Sequence, residues 1–248
     1  GLFLQMGVPD NFFKFSGDNP VRQRRSFGAQ LMHLFELNQQ LSVAQSLLAQ
    51  LRDPDIQQDR WRFRHNLQRL GMLLAYELSK MLQYQSFPLH TSLGVAKAAD
   101  LDQQPLLICV MRAGLPFYQG FSDVFDQADS GFIGAYRQAE QAGMDQDIFL
   151  GYSANPAIDG RDLVLIDPML ATGSSLLKVW RLLQQSGTPR SLHIAAAIAA
   201  PEGLALLQRE LGSAAQFWIG AVDERLNEQA YIVPGLGDAG DLCFGDKG

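Results

Sequence analysis

The thirteen residues from Leu163 to Ser175, LVLIDPMLATGSS, set the reading of the whole chain. The apolar run Leu163, Val164, Leu165, Ile166 predicts a buried parallel strand. Asp167 ends it, and a short loop with Thr172, Gly173, Ser174 and Ser175 follows. Leu176, Val179, Trp180 and Leu183 then recur at helical spacing. A strand, an acid, a hydroxyl-bearing loop and a helix start together make an anion site. First-turn N–H groups lack helical partners and carry the positive end of the helix dipole. Gly173 lets the backbone approach a phosphate, and Thr172 and Ser175 can donate hydroxyl hydrogen bonds. Asp167 stands about one sugar away, where a carboxylate can accept from two vicinal ribose hydroxyls. The segment therefore suits a ribose 5-phosphate. A Walker loop is excluded, because no lysine directly follows Gly173 and Lys178 falls within the predicted helix.

Outward from this segment, strands alternate with helices. Strands are expected over 105–111, 131–136, 192–199 and 216–222, and helices over 115–125, 176–185 and 203–211. That alternation predicts an α/β fold with a doubly wound, mostly parallel sheet. Residues 138–162 break the rhythm with Gly143, Asn155, Pro156 and Gly160, and read as a hairpin arm or lid. The stretches 27–51 and 60–82 carry apolar residues at helical spacings, parted by Asp53-Pro54-Asp55, with short strand-like runs near Phe87 and Val95 beyond them. The chain thus reads as one domain: a helical N-terminal part (about 19–85), a sheet core (about 105–223) carrying the arm, and a C-terminal segment (231–245). Arg112, Arg137, Asp167 and Asp223 each follow or end a predicted strand. Ligands of open α/β sheets bind beyond the carboxyl ends of the strands, so these four side chains are expected on one side. Arg22, Arg24 and Arg25 form a small basic cluster suited to a solvated or interface role.

The 248 residues carry a net charge of −6, which argues against a nucleic-acid or anionic-membrane surface. In an acidic protein that binds polyphosphate, individual arginines must supply the positive field. The two cysteines, Cys109 and Cys243, suggest neither a disulfide framework nor a metal site, and Cys109 lies in an apolar strand where an inert thiol is expected. The four histidines have no metal-ligand spacing. No apolar run is long enough to span a membrane, and a cytoplasmic protein is expected.

Four blocks carry a resemblance to the uracil phosphoribosyltransferases, covering about 19–247: VMRAGL around Arg112, GAYR ending at Arg137, DPMLATGSS from Asp167 to Ser175, and YIVPGLGDAGDLCFG from Tyr231 to Gly245. The last is the most specific, because it is similar to that family's uracil pocket. The resemblance implies the type I phosphoribosyltransferase fold, with a small hood over the sheet. It also implies transfer of the phosphoribosyl group of 5-phosphoribosyl 1-diphosphate to uracil, giving UMP and diphosphate with Mg²⁺ carried by the diphosphate substrate. It assigns phosphoribosyl-diphosphate contacts to Arg112, Arg137, Asp167, Pro168, Met169, Leu170, Ala171, Thr172, Gly173, Ser174, Ser175 and Asp238, of which Arg112, Asp167 and Asp238 would be catalytic. It assigns uracil contacts to Ile232, Gly237, Asp238 and Ala239. Further implications are a homodimer or higher homo-oligomer and GTP as a candidate effector. The chain departs from the family pattern at Ser174 and Arg225, where Gly is usual, and at Asp246, where Thr is usual. The residues themselves leave two alternatives open: transfer to another base, or a non-catalytic relative that senses nucleotide.

Overall fold

The structure, a computed structural model, describes residues 33–137 and 148–246, with 135–137 and 148–150 described by backbone alone. The basic cluster at Arg22, Arg24 and Arg25 and the tip of the arm lie outside the described residues. The chain enters through strand β1 (His33–Glu36), followed by helices α1 (Val43–Arg52) and α2 (Arg60–Ser79). A hairpin comes next, β2 (Tyr84–His90) and β3 (Val95–Leu101). The core then runs through β4 (Leu106–Met111), α3 (Gly114–Val124), β5 (Asp129–Arg137), β6 (Ile148–Ala154), β7 (Asp162–Ile166) and the two-residue β8 (Met169–Leu170). It continues through α4 (Ser174–Leu183), β9 (Ser191–Ala199), α5 (Pro201–Leu211) and β10 (Ala215–Val222). The short strands β11 (Arg225–Leu226) and β12 (Ile232–Val233) and the helix α6 (Ala239–Phe244) complete it.

The central sheet has the order β1-β10-β9-β7-β4-β5-β6, with β8 paired to β9. All its pairings are parallel except that of β6 with β5. This is the doubly wound, mostly parallel α/β sheet that the alternation predicts. The expected arm starts as the antiparallel β5–β6 hairpin. Alternate residues of each strand enter one of two cores, as the pleat requires. Leu107, Val164, Ala195 and Trp218 pack with Leu67, Leu70 and Leu74 of α2 and with Phe117 and Phe121 of α3. Leu106, Ile108, Leu165, Ile194 and Phe217 pack with Leu176 and Val179 of α4 and with Leu204 and Leu207 of α5. With both faces covered, the strands read as the near-continuous apolar runs seen in the sequence.

One element departs from its sequence pattern. Helical spacing over 27–51 predicts a single helix, but His33–Glu36 is a strand and the helix begins only at Val43, where Ser42 caps it by accepting from the Ala44 N–H. The reason is tertiary. β10 would otherwise present a bare edge of N–H and C=O groups, and β1 pairs with it in parallel register, His33 opposite Gln216 through Glu36 opposite Ile219. Phe35 and His33 lie against the Trp218 ring while Leu34 turns into the other core.

Candidate active site at the sheet switch point

The strand order reverses between β4 and β7. From β4 the chain proceeds outward to β5 and β6, whereas β7, β9 and β10 lie on its other side. Such a switch point opens a crevice at the carboxyl ends of the strands, where two successive connections leave in opposite directions. Arg112 leaves β4 at this crevice and Asp167 leaves the neighbouring β7.

The loop after β7 is tightly specified. The Asp167 N–H donates to the Ala195 carbonyl, and Asp167 Oδ1 accepts from the Met169 N–H at 3.1 Å. β8 then pairs with the end of β9, and Gly173 takes a left-handed conformation (φ 81°) as the N-cap of α4. A Cβ at Gly173 would lie 2.9 Å from the Gly203 carbonyl oxygen, and one at Gly203 only 2.2 Å from that of Ala171. Neither position accepts a side chain without moving the loop off α5. Thr172 Oγ1 accepts from the Ser174 N–H and donates to Ser174 Oγ, both at 3.3 Å. Ser174 and Ser175 therefore sit in the first turn of α4, with the hydroxyl of Thr172 already at its mouth.

The C-terminal segment approaches from the other side. The Gly237 φ of +87° turns the chain into α6, which Asp238 caps with Oδ1, accepting from the Gly240 and Asp241 N–H groups at 2.8 and 3.1 Å. One turn later, Asp241 Oδ1 accepts from Arg112 Nη2 at 2.8 Å, and the same nitrogen donates to the Gly245 carbonyl at 3.1 Å. Arg112 Nε is buried with no hydrogen-bond partner among the described residues. Arg112 thus joins the β4 end of the crevice to the Gly-rich segment. A cleft of about 270 Å³ lies alongside, with Gln57, Gln58 and Arg60 on one wall and Gly237, Asp238 and Asp241 on the other.

The family model for uracil phosphoribosyltransferase matches residues 39–246 of the chain. The chain belongs to the uracil phosphoribosyltransferase family. It is similar to the uracil phosphoribosyltransferase of Porphyromonas gingivalis, 38% identical over 216 residues that cover 87% of this chain and 100% of that protein. It is also similar to the one from Pyrococcus furiosus, 34% identical over 81% of this chain and 85% of that protein. Among solved structures, the AQ2163 protein of Aquifex aeolicus superposes with a TM-score of 0.75 at 32% identity, covering 86% of this chain and 98% of that one.

Within this family member, the structure brings Arg112, Asp167–Ser175 and Gly237–Ala239 to the carboxyl side of the sheet, and places Arg137 by its backbone at the end of β5. Two expectations need refinement. The Ile232 side chain is buried with Leu236, Ala239 and Cys243, so only its backbone can face a ligand. Asp223, expected among the converging acids, is instead held by Arg52 through two hydrogen bonds of 2.6 and 2.9 Å. Arg52, Gln57 and Asp241 were not singled out from the sequence. Arg52 lies 171 positions from Asp223, and nothing in its local pattern marks it as more than a helix-terminal charge. Of the departures, Ser174 starts α4, while Arg225 lies exposed on the small β11–β12 ladder. Burial pushes the Cys109 thiol well above its ordinary range, and the Asp167 charge adds to this, so the inert thiol expected from sequence stands beside the loop.

Proposed function

We propose that the protein transfers the 5-phosphoribosyl group of 5-phosphoribosyl 1-diphosphate to uracil, giving UMP and diphosphate. The observation that carries this reading is the contact of Arg112 with α6 at the switch point. It ties the carboxyl end of β4, the neighbour of β7 and its loop, to the Gly-rich segment. In this reading the first-turn N–H groups of α4, with the Thr172 and Ser175 hydroxyls, receive the 5-phosphate. Asp167 accepts from the ribose hydroxyls, while Arg112 and Arg137 take the diphosphate. The backbone of Ile232 and Gly237–Ala239 supplies donors and acceptors to the flat base, whose two carbonyls and N–H require a fixed pattern. Asp238 holds α6 through Oδ1, which leaves Oδ2 for the substrate side.

In the transfer, the bond from ribose C1 to the diphosphate oxygen breaks as a bond to uracil N1 forms, and the N1 proton passes to the departing diphosphate. Negative charge grows on the leaving diphosphate and positive charge on the ribose. Arg112 and Arg137 stabilise the first, and the Asp167 carboxylate keeps the ribose oriented toward the base. No covalent nucleophile is needed. Mg²⁺, carried by the diphosphate, would add neutralising charge. Such a hard ion needs only one or two carboxylates besides substrate oxygens, and Asp167 and Asp238 would be the ones to hold it.

A homo-oligomer belongs to the same proposal. Among the described residues β2 and β3 pair only with each other, and Phe87, Leu89 and Val95 on them and Leu93 in their turn are exposed. A lone two-stranded hairpin is marginal in water, so a second copy covering it supports this reading. The test of the function is product formation with Mg²⁺, 5-phosphoribosyl 1-diphosphate and either uracil, cytosine or adenine. UMP from uracil alone is expected. Equal turnover of cytosine or adenine, or none of uracil, would overturn the reading.

A further inference from the structure

We propose that Arg52, Asp223 and Gln57 are positioning residues that set base specificity, by fixing the backbone of the turn that leads into Gly237–Ala239. The proposal rests on the assignment of that segment to uracil. Three backbone groups of the turn, on Gly235 and Leu236, are occupied by these side chains. The Gly235 N–H donates to Asp223 Oδ2 at 2.8 Å. The Gly235 carbonyl accepts from Arg52 Nη1 at 3.1 Å. The Leu236 carbonyl accepts from the Gln57 amide at 2.9 Å, in the amide orientation that also satisfies the Leu51 carbonyl. Asp223 is itself gripped by both Arg52 terminal nitrogens, and its side chain is 4% exposed. The three residues come from separate places: the last turn of α1, the α1–α2 connection and the carboxyl end of β10.

The turn needs such support. Gly235 has φ +65°, and a Cβ there would lie 2.1 Å from the Ile232 carbonyl oxygen, so the fold over Ile232 is tight and specific to glycine. A base recognised by backbone donors and acceptors has no side chain tuned to it. Discrimination between a carbonyl and an amine then depends on where the backbone stands, and a displaced loop leaves the wrong base no worse paired than the right one. Arg52 supplies a rigid planar fork, with Nη1 shared between Asp223 and Gly235 so that the carboxylate and the turn are tied as one unit. These side chains act through Gly235 and Leu236 and need no contact with the base.

Two conservative variants test the clamp. Arg52→Lys keeps the charge beside buried Asp223 but loses the fork. Gln57→Ala removes the amide's two hydrogen bonds, to the Leu236 and Leu51 carbonyls, from a partly exposed connection, which puts little of the fold at risk. The measurement is steady-state kinetics with uracil and with cytosine, alongside thermal melting to show that each variant is folded. Arg52→Lys is expected to raise KM for uracil roughly tenfold, the size of one lost charge-assisted hydrogen bond, and to lower the uracil-to-cytosine ratio of kcat/KM. Gln57→Ala should shift both in the same direction by less, and KM for 5-phosphoribosyl 1-diphosphate should stay within about twofold in both variants. Folded variants with wild-type uracil KM and selectivity would overturn the clamp. So would equal losses for both substrates, which a merely structural role produces. An inactive wild-type protein would instead overturn the uracil reading beneath it.

Discussion

Arg112 stands between two partners of different kinds. Nη2 is shared by the Asp241 carboxylate and the Gly245 carbonyl, while Nε is buried with no partner among the described residues. The side chain is still 36% exposed, so a diphosphate at the crevice would meet the guanidinium at its solvent-facing edge. Asp241→Asn keeps the shape of the contact and weakens the charge attraction. It should lower the coupling between the two substrates, read as the gain in uracil affinity when a diphosphate analogue is present. An unchanged gain would show that the contact is incidental. The loop residues divide differently. Thr172→Ala removes one hydroxyl at the mouth of α4 and should raise KM for 5-phosphoribosyl 1-diphosphate. Asp167→Asn removes the charge proposed to hold the ribose hydroxyls and should lower kcat/KM roughly ten- to a hundredfold, as expected for a hydrogen bond to a charged group. Stopped assays on both variants check this, and wild-type kinetics in both would make the loop structural. Asp167 and Thr172 were legible because strand, acid and loop are contiguous. Asp241 was not, since its role depends on an arginine 129 positions away.

At the scale of elements, α2 and α3 cross where both lack a side chain. A Cβ at Gly71 would lie 2.3 Å from the Phe117 carbonyl oxygen, and one at Gly120 would lie 2.0 Å from that of Gln68. Gly120→Ala should therefore part the helices and cost about 1–3 kcal/mol, as overpacking does. Chemical denaturation measures it, and wild-type stability would contradict the close approach. Packing of this kind also limits what sequence shows. β4, β7, β9 and α4 were read from their own periods, because strands buried on both faces and a helix with one buried face leave local marks. β1 carries a helical spacing and becomes a strand only because β10 has an edge to pair. α6 is six residues long, too short for a period, and its signal is the cap at Asp238 rather than its apolar face. That same aspartate was expected as a catalytic and substrate-contacting residue, not as a cap.

The whole molecule keeps its chemistry and its acid sensitivity at opposite ends of the sheet. At the amino ends of the central strands, the Trp218 indole N–H donates to His193 Nδ1. This leaves the proton on Nε2, which faces Ser191 Oγ, and Ser191 in turn donates to Asp162. Burial pushes the His193 pKa down to about 4, with Asp162 opposing and His33 reinforcing the shift. Burial would raise Asp162, but hydrogen bonds from Arg190 and Ser191 and the nearby positive charge hold its carboxyl below the usual range. Both shifts have one sign. The stabilisation by neutral His193 is fully present above the unfolded value of about 6.5 and is lost as pH falls toward 4, an effect of about 3 kcal/mol. That of ionised Asp162 is lost at still lower pH. Urea midpoints should fall between pH 7 and 4.5, less steeply in His193→Gln. A flat wild-type profile would contradict the buried neutral imidazole.

The opposite end holds the central claim, that the anion loop and the Gly-rich segment form one site joined through Arg112. Ordering by the first ligand then lowers the cost of binding the second. Calorimetry of uracil binding with and without a non-reactive analogue of 5-phosphoribosyl 1-diphosphate and Mg²⁺ tests this directly. The account predicts weak binding to the protein alone and an affinity gain on the order of tenfold or more with the analogue. Uracil affinity that is tight in the empty protein and unchanged by the analogue would contradict it.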